Sequence, residues 1–370
     1  MLDKTLFYVG TYSEPIKFGT GQVVAGKGEG IYLVELDLHT GDLKLIDIFK
    51  NIANPSYLVV NKKNGYLYAV NELKQFQEKP SGSVSSFKIS KNTGELTFVN
   101  KQPTEGTDPC HIVVNSKGTE LFISNFMSGS VCVLPIRPDG SIGEPSQLIQ
   151  HTGRSINPER QSGPHAHSLV FSADEKYAFV ADLGLDMLMI YETNSGSSPL
   201  TKSSIPYFKT EPGAGPRHFT FNPSGEYCYV INEINCTILV LSYDKKNGSF
   251  LELQSVSSLP EGIGISGNSC ADIHITPDGT FLYGSNRGHN SLIIYRINKK
   301  SGLLEYINCQ PCGGEIPRDF AIDPSGTYLL CANQDSDDIT VFTIDQITGW
   351  LKEITKCNIP TPVCVKPLVL

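Results

Sequence analysis

Six segments of this chain repeat one internal ruler. An apolar, strand-like run begins at Pro55, Pro109, Ala166, Pro216, Cys270 and Pro317. Sixteen positions later each copy reaches a polar residue: Asn71, Asn125, Asp182, Asn232, Asn286 and Asn333. In most copies a turn such as Asn222-Pro223-Ser224-Gly225 or Thr276-Pro277-Asp278-Gly279 divides the span into two apolar strands. Fixed spacing within a unit and variable connections between units are the mark of a strand repeat that stacks copies side by side.

A second landmark follows each unit. Turns built on Gly recur at Thr40-Gly41, Thr93-Gly94, Asp139-Gly140, Ser195-Gly196, Asn247-Gly248, Ser301-Gly302 and Thr348-Gly349, the fourth being degenerate. Gly supplies the positive φ such hairpins need. Alternating strands such as Leu292-Ile293-Ile294-Tyr295-Arg296-Ile297 precede them, and helical periodicity is nowhere sustained. Seven outer turns against six inner hairpins leave one unit incomplete. Leu6-Phe7-Tyr8-Val9-Gly10 reads as a second strand without a first, and Pro362-Val363-Cys364-Val365 as a first without a second. Pairing them closes a ring and leaves no open edge. The sequence therefore predicts an all-β, seven-bladed β-propeller with four antiparallel strands per blade, about 28 strands in all, as one domain over residues 1–370.

Composition narrows the partners. A net charge of −8 with no basic stripe argues against nucleic acid, yet a few local arginines outweigh so weak a global field for a small anion. The segment Met1 to Tyr12 has no basic stretch leading into a long apolar one, and no run approaches eighteen apolar residues. The expectation is a cytoplasmic protein without a membrane span, monomeric or weakly self-associating. Its ten cysteines, scattered through apolar runs, read as reduced thiols. Cys309-Gln310-Pro311-Cys312 has redox spacing but is expected in an inter-strand loop and therefore inert.

In a blade the start of the first strand lies beside the end of the second, on one face near the axis. That face collects Tyr57, Glu72, His111, His165, His167, Arg217, His218, Glu233, Arg287, His289 and Arg318, including five of the eight histidines. The opposite face receives turns with little chemistry. The Asn residues at the strand ends suit backbone capping. Arg217 and Glu233, sixteen apart, are expected to face each other across one hairpin as a solvent-open rim pair. Arginines, a glutamate and histidines around one channel mouth form a site for an anionic, oxygen-rich ligand. Gly21 to Gly28 nearly spells a phosphate loop but lacks the hydroxyl residue after Lys27 and leads into a strand. No GxSxG elbow, HExxH or paired-cysteine metal motif occurs, so neither a serine hydrolase nor a metal cofactor is expected. His165 and His167 are expected on opposite faces of an extended segment, unable to share a metal.

Gly163-Pro164-His165-Ala166-His167-Ser168, Pro216-Arg217-His218, Asn232-Glu233 and Ser285-Asn286-Arg287-Gly288 resemble the motifs of the seven-bladed propeller lactonases. That family includes propeller-type 6-phosphogluconolactonase and fungal carboxymuconate lactonizing enzyme. The likeness runs in order along essentially the whole chain, from Phe7-Tyr8-Val9-Gly10-Thr11-Tyr12 onward. It implies that His167, Arg217, Glu233 and Arg287 are catalytic, with His165 competing for the role of His167. Around them His165, His111, His218, Asn232, Asn286 and Arg318 are expected to contact the substrate. The implied reaction is metal-independent hydrolysis of a small anionic sugar lactone of the 6-phosphogluconolactone type. Glu233 or His167 would activate water, and arginines would hold the oxyanion and the phosphate. The alternatives are a carboxymuconate-type lactonization and a non-catalytic propeller scaffold. The long loops Tyr12 to Gly30 and Pro145 to Pro164 are expected to be pocket walls or lids.

Overall fold

A computed structural model describes residues 3–18, 21–194 and 198–368. Among these the chain forms seven four-stranded antiparallel sheets and no helix. A two-stranded ribbon of Ile16–Lys17 and Val23–Val24 adds to the 28 blade strands. No helix is therefore long and apolar enough to cross a membrane.

The sixteen-residue ruler is a pairing register. Pro55 faces Asn71, Pro109 faces Asn125, Ala166 faces Asp182, Pro216 faces Asn232, Cys270 faces Asn286 and Pro317 faces Asn333. The seventh blade is assembled from both ends of the chain, in the order Pro362–Pro367, Lys4–Thr11, Gly30–Asp37, Leu43–Lys50. Val9 pairs with Val365 and Tyr8 with Lys366. This is the closure the sequence predicts.

The apolar core lies between neighbouring blades. Phe7, Val34 and Val365 of the closing blade pack with Leu330, Ile339 and Val341 of the one before it. Tyr229 and Ile238 pack likewise with Ile273 and Ile293 of the next blade. The recurrent Gly turns belong to this packing. Tyr229 Oη donates to Gly302 O and Tyr283 Oη to Gly349 O, both at 2.8 Å, and Tyr68 Oη donates to Gly140 O at 3.1 Å. A Cβ on Gly140 would fall 2.1 Å from the Tyr66 ring, so this turn requires Gly for close approach as well as for its φ of 78°. The turn at Ser195-Gly196 lies outside the described residues. Cys309 proves to sit within the outer strand Leu304–Pro311, with Cys312 just past its end, and not in an inter-strand loop.

Candidate functional site

The innermost strands carry a repeated irregularity. Each slips register against its neighbour just after its start, leaving one residue unpaired: Ser56, Cys110, His167, Arg217 and Arg318 in five blades. Val363 is the equivalent residue of the closing blade, and the slip between Cys270 and Ile273 is longer. A bulge re-aims a side chain that regular pleating would place elsewhere. Ser56, Cys110, His167, Arg217, Arg318 and Val363 all turn into the axial space and line one small chamber. Above it opens a cavity of about 340 Å³, within the range of small-molecule sites. His165 and His167 both line this cavity, so strict alternation fails at the bulge and the expectation of opposite faces is corrected.

One carboxylate organises the arginines. Glu233 Oε2 lies 3.0 Å from Arg217 Nε and 2.9 Å from Arg287 Nη2, and Glu233 Oε1 accepts from Arg160 Nη2. Arg217 Nε is not aligned for a hydrogen bond in this pair. Instead Arg217 Nη1 donates to Ala271 O, and Arg287 Nη2 also donates to Cys270 O at 2.7 Å. Burial pushes the Glu233 carboxyl up, but Arg287, Arg160 and Arg217 outweigh it and hold it far below the usual carboxylate range. Glu233 is thus a fixed negative charge and a poor proton acceptor. Arg318 stands apart, its guanidinium 5.3 Å from the Tyr12 ring centre and 5.1 Å from that of Phe18. It makes no ion pair among the described residues.

Arg160 reaches the cavity on the long loop before His165. Its anchor is Asp186, which is buried and accepts from Gln161 Nε2, Gly213 N and Gly215 N at 2.7 Å and from Ser155 Oγ at 2.5 Å. Gly215 O in turn accepts from Glu233 N at 2.7 Å, so one carboxylate fixes both the Arg160 loop and the Glu233 strand end. The Tyr12 to Gly30 loop contributes Phe18 and Gln22 to the cavity, and both long loops are walls as expected.

The histidines divide by depth. His165 stacks on Phe126 at 4.7 Å and donates from Nδ1 to Phe126 O at 3.0 Å. His167 is buried with its edge toward Phe126, and Cys110 Sγ lies 3.9 Å from its Nδ1. Burial, reinforced by Arg217, holds His167 well below its ordinary pKa and therefore neutral. His111 and His218 lie lower, around the axis, with ring centres 5.6 Å apart. Asn232 and Asn286 do not line the cavity. Asn286 Nδ2 caps Ser258 O at 2.6 Å and Asn232 Nδ2 donates to Thr237 Oγ1 at 2.8 Å.

Sequence reasoning passed over Arg160, which lies in a loop that carries no repeat signal. Glu72 is buried beside Arg318 and accepts from Tyr12 Oη at 3.0 Å; burial raises its carboxyl while Arg318 pulls it back. Among the described residues no group of three or more His, Cys, Asp or Glu is arranged to hold a metal ion.

A family model described as lactonase, 7-bladed beta-propeller, matches residues 6–367. The chain belongs to that family. It is 36% identical to the 6-phosphogluconolactonase of Bacillus subtilis over 319 residues, 86% of this chain and 85% of that one. It is also 36% identical to the 6-phosphogluconolactonase of Formosa agariphila, covering 80% of this chain and 82% of the relative. A Pseudomonas aeruginosa periplasmic gluconolactonase superposes with a TM-score of 0.89 at 29% identity, covering 99% of both chains. The propeller lactonases thus share the fold of this chain along its whole length.

Proposed function

We propose that this protein hydrolyses a phosphorylated sugar lactone of the 6-phosphoglucono-1,5-lactone type. The observation that carries this reading is the charge of the cavity. Arg160, Arg217, Arg287 and Arg318 converge on it against Glu72, Glu159 and Glu233, and among the described residues Glu233 is the one carboxylate that forms ion pairs with these arginines. The surplus of fixed cations suits a ligand carrying a phosphate and developing an oxyanion. The likeness to relatives named 6-phosphogluconolactonase supports the same substrate class.

In this reading Arg318, which forms no ion pair among the described residues although Glu72 lies beside it, takes the phosphate. Arg217 and Arg287, fixed by Glu233 and by backbone carbonyls, polarise the lactone carbonyl. His167, neutral and at the cavity wall, faces the ring oxygen that leaves. No step calls on a metal. The test is Arg318→Met assayed on the phosphorylated and the unphosphorylated lactone. The expected result is a loss of about 10²-fold in kcat/KM on the first and a much smaller loss on the second. Equal losses on both would remove Arg318 from phosphate recognition.

A further inference from the structure

Below the cavity the axial space narrows to a chamber of about 10 Å³, close to the least that admits one water molecule. Among its walls are Ser56, Glu72, His167, Arg217 and His218. His218 Nε2 is buried there without a hydrogen-bond partner among the described residues. Buried polar atoms left so are costly unless a water or ligand group meets them.

The other edge of the His218 ring is fixed. Its Nδ1 lies 2.7 Å from Asp272 Oδ1. Asp272 is itself held by Ile273 N at 2.9 Å, His274 Nε2 at 2.9 Å and Phe320 N at 3.2 Å. Burial pushes this carboxyl up, but His274 and His218 more than reverse it, so Asp272 is ionised and only accepts. Nδ1 of His218 therefore carries the proton, and Nε2 is left as a lone pair. A buried carboxylate that fixes one imidazole tautomer in this way is how a general base is prepared.

We propose that His218, oriented by Asp272, is the general base that activates a water seated in this chamber for attack on a lactone carbonyl held above it. The inference rests on the lactonase reading. As the water oxygen bonds to the carbonyl carbon, one water proton passes to His218 Nε2 and the carbonyl oxygen becomes the oxyanion. The ring C–O bond then breaks, and the departing ring oxygen takes up that proton. The hydroxy acid so formed ionises and releases one proton to solvent. His218 meets this task better than its neighbours. Glu233 is clamped by three guanidiniums, and among the described residues His167 has no carboxylate behind it. The groups facing His218 are Arg217, Asp272, Lys366, His167 at 5.1 Å, His111 at 5.6 Å and Tyr57 at 5.8 Å. Burial first, then Arg217, bring its pKa down to about 4, so the base is free at neutral pH.

The test is His218→Ala on a lactone that the unmodified protein hydrolyses, with and without added imidazole. The expected result is a kcat reduced by about 10²-fold or more, KM changed by less than about threefold, and partial recovery with imidazole. Asp272→Asn should lower kcat on a similar scale without imidazole rescue. A His218→Ala kcat within about threefold of the parent would overturn the proposal, as would a loss that imidazole leaves untouched. If the alanine variant does not fold, His218→Gln decides, because the amide keeps size and hydrogen bonding but takes no proton; parental kcat there also overturns it. A parent inactive on every lactone would refute the lactonase reading itself, a separate result.

Discussion

Arg217 Nε stands 3.0 Å from Glu233 Oε2, joining the bulged second residue of an innermost strand to the residue just past the end of its neighbour. Their side chains are 3% and 6% exposed, so the rim pair expected to be open to solvent is a buried one. This changes what its removal does.

Glu233→Gln leaves Arg160, Arg217 and Arg287 without their shared counter-charge. Breaking a buried ion cluster by removing one partner costs about 3–5 kcal/mol, far above the worth of a surface pair. We expect denaturant unfolding to report a loss of about that size, together with a fall in lactone turnover of about 10²-fold. The carboxylate contributes stability above its unfolded pKa and loses it only as pH falls through its much lower folded value. The variant and the parent should therefore converge in stability only in strong acid.

His218 gives a second handle on pH. Its folded pKa, about 4, lies below the ordinary 6.5, so the unfolded state binds the extra proton between those values. Stability is lost as pH falls from about 6.5 toward 4, at up to about 1.4 kcal/mol per unit for this one group. In His218→Gln the slope of unfolding free energy across that window should flatten by about the same amount. An unchanged slope would show that the imidazole is not held neutral.

Ring closure should be essential. Deleting residues 362–368 removes the innermost strand of the closing blade and exposes the edge of Lys4–Thr11. The expected result is an insoluble protein or a large drop in melting temperature. A truncated chain that melts like the parent would contradict the closure.

Chelation should leave turnover intact, because the proposed steps use protein groups alone. Loss of activity in chelator with recovery on adding a divalent cation would refute this part of the mechanism.

The blade count, the closure and the nearness of Arg217 to Glu233 were legible because pairing register is written in spacing. Sixteen residues from Pro216 to Asn232 leave one pairing that keeps both apolar faces inward. The bulges were not legible. They are backbone slips filled alike by Ser56, Cys110, His167, Arg217 and Arg318, and no residue type announces them. Alternation therefore misplaced His165 against His167. Arg160 was hidden for another reason: its position depends on Asp186, which gathers three separate segments that no local pattern connects. The tautomer of His218 likewise depends on Asp272 from the next blade.

The central claim is that this arginine-lined cavity hydrolyses a phosphorylated sugar lactone. Its most direct test is kcat/KM for 6-phosphoglucono-1,5-lactone beside glucono-1,5-lactone, each freshly prepared and corrected for spontaneous hydrolysis. The account predicts turnover of both, with the phosphorylated substrate preferred by about 10²-fold through charge-assisted contacts. Equal rates, or a preference for the unphosphorylated sugar, would contradict the role given to Arg318.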